Sequence, residues 1–423
     1  MILYRGEICE DKELPRLLER LEADCLETIA GQTIDRETVV AACDALARRV
    51  EAGDYDSVLQ PFLTAFSIDP ARFREALFLF KREALSYKLA VELGSEDLPD
   101  LTPPGRAPIR RRRMPLGVLF HMAAGNVDGL PAYSVVEGLL AGNVNILKLP
   151  AQDRGASLLL LRELVRLEPR LRDFVYVFDV PSTDLQSLER FAKIADAVVV
   201  WGGDEAVRAA RTLAGPDTAL ICWGHKLSFA YAVPPVPDGD LEALADHICA
   251  TGQLLCSSCQ GIFLDTGDMG EVHALAERLF PILQAAARRH PPADPALRAR
   301  ATLELYAREL EADSAGRRIY RGGGVSVTAA PDSRLELGLL AGNCWVKPLP
   351  RDQIVPRLKP RKGCLQTAGL LCPEGERAAL SALLARAGVV RVTGPGDMSR
   401  TVPGEAHDGT YPLAAYTRIV EVS

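Results

Sequence analysis

Cys256 sits in the run Gln253-Leu-Leu-Cys256-Ser-Ser-Cys259-Gln260, where a helical pattern ends and small polar residues begin. A thiol placed there can be partly exposed. Nearby backbone N–H groups then favour its thiolate, the form that attacks a carbonyl carbon. The competing assignment is a core cysteine, since unpaired cysteines are mostly interior residues. Cys256 and Cys259 also have the spacing of a redox pair or of half a zinc site. Zinc needs two further ligands, and the chain has no second CxxC and no HxxxH. Asn126 follows Gly125 between a strand and a helix. Its side-chain NH2 could hold a developing oxyanion, or its oxygen could cap the helix. Lys148 ends a strand at the edge where open parallel sheets bind ligands; the alternative is a solvated lysine. Gly202-Gly203 joins a strand to a helix, and the N–H groups and dipole of such a helix start suit a pyrophosphate. No full G-x-G-x-x-G surrounds these glycines, so a plain strand–helix turn stays open as well. Asp204 would repel a pyrophosphate and reads as the helix cap. His121 and His225 each lie beside a turn after a strand, and His407 carries no assignment.

These residues need elements to position them. Residues 1–94 read as helical, with Leu14, Leu17, Leu18 and Leu21 on one face. Asp69-Pro70 starts a helix that carries Phe73, Leu77, Phe80 and Leu85 and stops near Gly94. Asp97 to Pro108 holds four prolines and a glycine and reads as a linker. Strands at 116–120, 144–148, 174–180, 197–201 and 219–223 then alternate with helices at 133–140 and 158–167, a short helix that ends at 191–195, and a helix at 205–214. That alternation implies βαβ units and a mainly parallel sheet. A second α/β segment starts near Leu227, with an apolar run at 229–233, a strand at 261–264, helices at 241–251 and 272–289, and a turn at Pro291–Pro295. The tail ends in a strand, Thr417 to Val422. Leu139-Leu-Ala-Gly-Asn143 returns as Leu339-Leu-Ala-Gly-Asn343, which reads as one helix–Gly–strand joint used twice.

The chain has 423 residues, 48% hydrophobic and 25% charged, so it can bury a large core and is neither disordered nor collagen-like. A net charge of −7 argues against nucleic-acid or anionic-membrane binding. The basic run Arg110 to Arg113 reads as a solvated edge. Ten scattered cysteines do not resemble a disulfide framework. With no run of signal-peptide or membrane-span length, the expectation is a soluble cytoplasmic protein with reduced thiols.

The order of these motifs resembles the aldehyde dehydrogenase superfamily, and within it the long-chain acyl-CoA (fatty acyl thioester) reductases, the reductase component type of bacterial bioluminescence. The resemblance is carried by Pro115-Leu-Gly-Val-Leu-Phe-His-Met-Ala-Ala-Gly-Asn126, Leu139-Leu-Ala-Gly-Asn-Val-Asn-Ile-Leu-Lys148, Val199-Val-Trp-Gly-Gly-Asp-Glu205, Gly224-His-Lys-Leu-Ser-Phe-Ala-Tyr231, Cys256-Ser-Ser-Cys-Gln260 and Gly409-Thr-Tyr-Pro-Leu-Ala-Ala-Tyr-Thr-Arg418. It implies an α/β fold with two Rossmann-like open sheets, a helical N-terminal region and a C-terminal oligomerisation strand. The implied domains are 1–226 for cofactor binding, 227–395 for catalysis, and 396–423 for the return to the cofactor domain and the oligomerisation tail.

By the same resemblance Cys256 is the nucleophile. Asn126 and the backbone N–H of Cys256 form the oxyanion hole. Lys148 lies beside the adenosine ribose, and Gly202 and Gly203 form the pyrophosphate turn. Many NAD-using relatives carry a glutamate three residues after the lysine; Ala151 stands here, which favours NADPH, with NADH the alternative. Hydrolytic relatives carry a glutamate where this chain has Cys222, and losing that general base disfavours hydrolysis. Cys259 replaces the branch's usual proline, which leaves room for thiol-level regulation or a looser loop. The implied activity is NADPH-dependent reduction of an acyl thioester to an aldehyde through a Cys256 acyl-enzyme, with coenzyme A as substrate or product. The implied partners are a second copy, as dimer or tetramer, and an acyl-transferring protein. Two other readings remain: an aldehyde dehydrogenase making acid or acyl-CoA, and a catalytically silent binding scaffold.

Overall fold

Short apolar runs, fully buried in the central strands Val144–Lys148, Val175–Phe178 and Ala197–Trp201, build the first sheet. A computed structural model describes residues 1–57, 59, 77–95, 97–123, 129–151, 153, 155–291, 295–310 and 316–423. The chain divides into two units, Met1–Gly224 with Val402–Ser423, and His225–Thr401. The first unit holds a seven-stranded sheet in the order Glu7–Cys9, Ile2–Tyr4, Val175–Phe178, Val144–Lys148, Val118–Met122, Ala197–Trp201, Ala219–Trp223. The last five are mutually parallel, and the hairpin Ile2–Cys9 adds antiparallel at one edge. From Val118–Met122 the chain winds outward through 144–148 and 175–178, then returns to the other side at 197–201. The switch point of this winding lies between strands 118–122 and 197–201, and there the carboxyl ends of parallel strands leave a crevice for ligands.

Several expectations need correction. Residues 1–94 are not helical throughout, because Ile2–Tyr4 and Glu7–Cys9 are strands. The helices Leu14–Gly31, Arg36–Ala52 and Arg82–Glu92 follow them. The predicted helix start at Asp69-Pro70 and its Phe73 lie outside the described residues; Leu77–Phe80 is a 3-10 turn. Asp97–Leu101, read as linker, is a strand. It pairs with Ile109–Pro115, which in turn pairs with Thr417–Val422. The arginine run is therefore the middle of a three-stranded sheet rather than an edge. Arg112 pairs with Asp97, and Arg111 donates to the Pro99 carbonyl. The helical region is also tied to the C-terminal segment through buried charge. Lys88 Nζ lies 2.5 Å from Glu92 Oε1 and 3.0 Å from Glu137 Oε1, while Glu92 Oε2 accepts the Leu413 N–H at 2.8 Å.

The second unit has its own seven-stranded sheet, ordered Arg318–Gly322, Val325–Ala329, Asn343–Pro348, Cys259–Leu264, Leu227–Ala232, Leu365–Leu371, Arg391–Thr393. All pairs are parallel except the outer one between 318–322 and 325–329. Its two faces bury separate cores. Ala230, Ile262, Leu264 and Val346 pack against helices Asp238–Thr251 and Met269–Arg289. Phe229, Phe263 and Trp345 face helix Glu374–Ala387. The repeated Leu-Leu-Ala-Gly-Asn motif differs between its two sites. Leu130–Leu140 is a helix running into Gly142, but residues 331–339 are irregular, and Leu340, Ala341 and Gly342 turn with φ of 65°, 50° and 82°. The expected helix is thus absent from the second site, but both sites run into a strand, Val144–Lys148 and Asn343–Pro348, and both use the asparagine. Asn143 Nδ2 donates to the Tyr416 carbonyl, and Asn343 Nδ2 to the Leu340 carbonyl.

Candidate active site

In the first unit Gly202-Gly203 follows strand Ala197–Trp201 at the switch point and opens helix Asp204–Leu213. Gly202 has φ +156°, and a Cβ there would stand 3.0 Å from that of Ala206; a Cβ on Gly203 would meet nothing within 4 Å. The backbone is therefore bare where a phosphate group would approach it. Gly203, not Asp204, is the N-cap, and Asp204 and Glu205 sit in the first turn. Lys148 ends its strand at the same sheet edge. Its ammonium donates to Ser182 Oγ at 2.9 Å, and burial pulls its pKa down against the opposing pull of Asp179. A largely buried ammonium given a neutral hydroxyl has capacity left for an oxygen-rich ligand. These features fit a nicotinamide dinucleotide.

His121 is a packing residue. It is fully buried, with Nδ1 2.7 Å from Ser134 Oγ and Nε2 3.0 Å from Asn145 Oδ1, and Trp201 Nε1 donates to the same Ser134 oxygen. Because the Asn145 amide nitrogen donates to the Asn143 carbonyl, its oxygen faces the ring. Nε2 then carries the hydrogen, and burial lowers the imidazole pKa to about 4. His407 packs on Trp201 and Trp223, with ring centroids 4.9 and 5.0 Å away. His225 is exposed in the link after Trp223, and Cys222 is half-buried in the strand before it. Asn126 lies outside the described residues.

In the second unit helix Asp238–Thr251 ends at Gly252, whose φ of +56° is followed by +65° at Gln253. Two left-handed residues turn the chain back, and the loop to strand Cys259–Leu264 presents Cys256 exposed at the strand's N-terminal edge. The loop is held at many points. Ser228 Oγ donates to the Cys256 carbonyl at 2.7 Å and accepts the Thr367 N–H at 3.0 Å. Ser258 Oγ accepts the Leu255 N–H, and the Ser257 and Ser399 hydroxyls are 2.8 Å apart. His247 Nε2 accepts the Cys259 N–H at 3.2 Å, and burial lowers its pKa to about 4. Cys259 itself is fully buried, its thiol directed at the Gly261 carbonyl at 3.3 Å and pushed up to about 12 by burial. It is a core thiol and forms no disulfide with Cys256. Among the described residues no cluster of His, Cys, Asp and Glu could hold a metal ion. The sequence reading overlooked Ser182, Ser228, His247 and the two glutamines beside Cys256. Ser228 and Gln260 lay inside motifs already noticed, but their buried polar roles leave no periodic signal.

The family model for acyl-CoA reductase (LuxC) matches residues 33–419. The long-chain acyl-protein thioester reductase of Aliivibrio fischeri is 25% identical over 360 residues, covering 82% of this chain and 72% of that protein. Its namesake from Vibrio harveyi is 29% identical over 204 residues, covering 46% of this chain but only 42% of that protein. Among solved structures, an NAD-dependent benzaldehyde dehydrogenase from Corynebacterium glutamicum superposes with a TM-score of 0.70 at 12% identity, over 97% of this chain and 90% of that one. The fold is thus that of the aldehyde dehydrogenases.

Proposed function

The chain belongs to the acyl-CoA reductase (LuxC) family, and on that premise we propose that it reduces an acyl thioester to an aldehyde through an acyl-enzyme on Cys256. The Cys256 thiolate attacks the acyl carbonyl and forms a C–S bond. Asn126 and the Cys256 backbone N–H hold the tetrahedral oxyanion. Its collapse expels coenzyme A or a carrier thiol and leaves the acyl group on sulfur. When bound, the nicotinamide cofactor supplies the hydride that takes this acyl group to the aldehyde level. Breaking the C–S bond then returns the thiolate and frees the aldehyde. Lys148 and Gly202-Gly203 are the residues that would hold the cofactor. NADPH is the favoured form, because Ala151 puts no carboxylate where a 2′-phosphate would lie. Homo-oligomerisation through the outer strand Thr417–Val422, with Ile419, Val420 and Val422 exposed, belongs to the same proposal, as does a cytoplasmic location. Among the described residues no helix is long and apolar enough to cross a membrane.

The observation that carries the proposal is the exposed Cys256 on a loop held rigid on both sides, in a chain of this family. The test follows NADPH oxidation with acyl-CoA substrates of graded chain length. Cys256→Ala is expected to fall to background while Cys259→Ala, in the core, keeps its thioester chemistry. Undiminished turnover by Cys256→Ala overturns the proposal.

A further inference from the structure

Two buried glutamines bracket the exposed thiol, and each uses both ends of its amide. Gln253 Nε2 donates to the Cys259 carbonyl at 3.1 Å, and its Oε1 accepts the Gly342 N–H at 3.1 Å. Gln260 Nε2 donates to the carbonyls of Gln253 and Ser258 at 3.1 and 3.2 Å, and its Oε1 accepts the Gly338 N–H at 3.1 Å. Both side chains are almost wholly buried, at 2% and 3% exposure. One further backbone bond, from Ala341 N–H to the Gly252 carbonyl at 3.1 Å, joins the same two segments. The arrangement is tight. A Cβ on Gly338 would stand 3.0 Å from the Gln260 carbonyl oxygen, 2.9 Å from that of Asn343 and 3.1 Å from Gln253 Nε2.

We propose that Gln253 and Gln260 are positioning residues for Cys256, fastening the start and end of its loop to each other and to the irregular segment 338–343. The proposal rests on the reading of Cys256 as nucleophile. Each role needs a donor and an acceptor on one planar group, which a carboxamide carries at every pH. A carboxylate lacks the donor, an alkyl chain lacks both functions, and a buried carbonyl or N–H left without its partner is costly. The left-handed backbone of Gln253 gives the same conclusion from another side. A non-glycine residue held at positive φ is strained unless its surroundings over-determine it, and here its side chain and its carbonyl are both bonded. With the termini of the loop fixed, the sulfur is held where it can meet a carbonyl carbon without a search, and misplacement of about 1 Å can cost on the order of 100-fold in rate.

Single-turnover acylation, followed as release of the thiol leaving group, tests this in Gln260→Ala and Gln260→Glu. Gln260→Ala is expected to acylate about 10- to 100-fold more slowly, with KM for NADPH within about twofold of wild type, since a displaced nucleophile loses rate rather than uniform binding. Gln260→Glu keeps the acceptor but faces two carbonyls with a carboxylate. Its rate relative to wild type should rise as pH falls from 8 towards 5, when the acid form regains one O–H donor. Peptide-resolved alkylation of Cys256 by iodoacetamide should change in the same variants, and this readout holds whichever group begins the reaction. Acylation by both variants within twofold of wild type, or a flat pH ratio for Gln260→Glu, overturns the proposal. If neither variant folds, hydrogen exchange on the wild-type protein decides. Peptides spanning 253–260 and 338–343 should be protected together, and free exchange at 338–343 overturns the clamp. Turnover by Cys256→Ala would instead sink the nucleophile reading and leave the exchange result standing.

Discussion

By the resemblance, position 222 holds a thiol where hydrolytic relatives carry a carboxylate, and on the proposed mechanism this one side chain bears on the fate of the acyl-enzyme. Water attacks a thioester slowly unless a base removes its proton, and general-base help is worth roughly 100- to 10,000-fold. Cys222→Glu is therefore expected to divert acyl-CoA towards free acid, measured as fatty acid released per aldehyde formed. An unchanged acid-to-aldehyde ratio would show that the missing base is not what keeps water out. The other thiols are a contrast to Cys256. Burial pushes Cys25, Cys249 and Cys259 each up to about 12, and Cys344 well above its ordinary value. Cys256 alone among the ten is exposed. Its place at a helix end, before two serines, was legible in the residue string. The hydrogen bonds that hold the loop were not, because a glutamine buried for its amide looks in sequence like any polar surface residue.

At the scale of elements, strand Cys259–Leu264 turns the loop's position into a property of the sheet. Gly261 leaves room for the Trp345 ring on the neighbouring strand, and a Cβ there would lie 2.1 Å from it. Gly261→Ala is expected to lower stability by about 1–3 kcal/mol through this overpacking; urea unfolding at pH 7 measures it, and a wild-type midpoint would refute it. Strands written as unbroken apolar runs, such as Ala197–Trp201 and Ala219–Trp223, were read from the sequence to the residue. Asn343–Pro348 was expected only as the strand half of the repeated Leu-Leu-Ala-Gly-Asn joint, and Leu365–Leu371 was missed. The first hides Lys347, 1% exposed, whose ammonium is bound by Asp332 and Glu336 at 2.7 Å each. The second carries Gln366 and Thr367, and the Thr367 N–H bonds to Ser228. Polar side chains inside a core break the hydrophobic period on which such readings depend. Ile2–Tyr4 failed for a simpler reason, since three residues are too few to show any period.

Across the whole molecule, acid should weaken both units, because each buries one neutral imidazole. His121 in the first unit and His247 in the second have pKa lowered to about 4, against 6.5 when unfolded. Between those values the unfolded chain binds more protons. Stability is thus fully present above pH 6.5, falls as pH drops towards 4, and loses nothing more from these groups below that. The span corresponds to at most about 3 kcal/mol for each histidine. Denaturant titrations of wild type and His247→Gln at pH 7 and pH 5 should show a smaller loss on acidification in the variant; equal losses would exclude the histidine as the cause. Residues 225–401 are one uninterrupted stretch, whereas the other unit is assembled from 1–224 and 402–423. That closing stretch supplies the Tyr416 carbonyl for Leu116 and Asn143, the Leu413 N–H for Glu92, and the strand beside Ile109–Pro115. On the ribosome, then, the inserted unit can finish folding while its host is still unsealed. The host must wait through the synthesis of some 180 residues, at about 5–20 per second, before the partners of Asn143, Glu92 and strand Ile109–Pro115 are made.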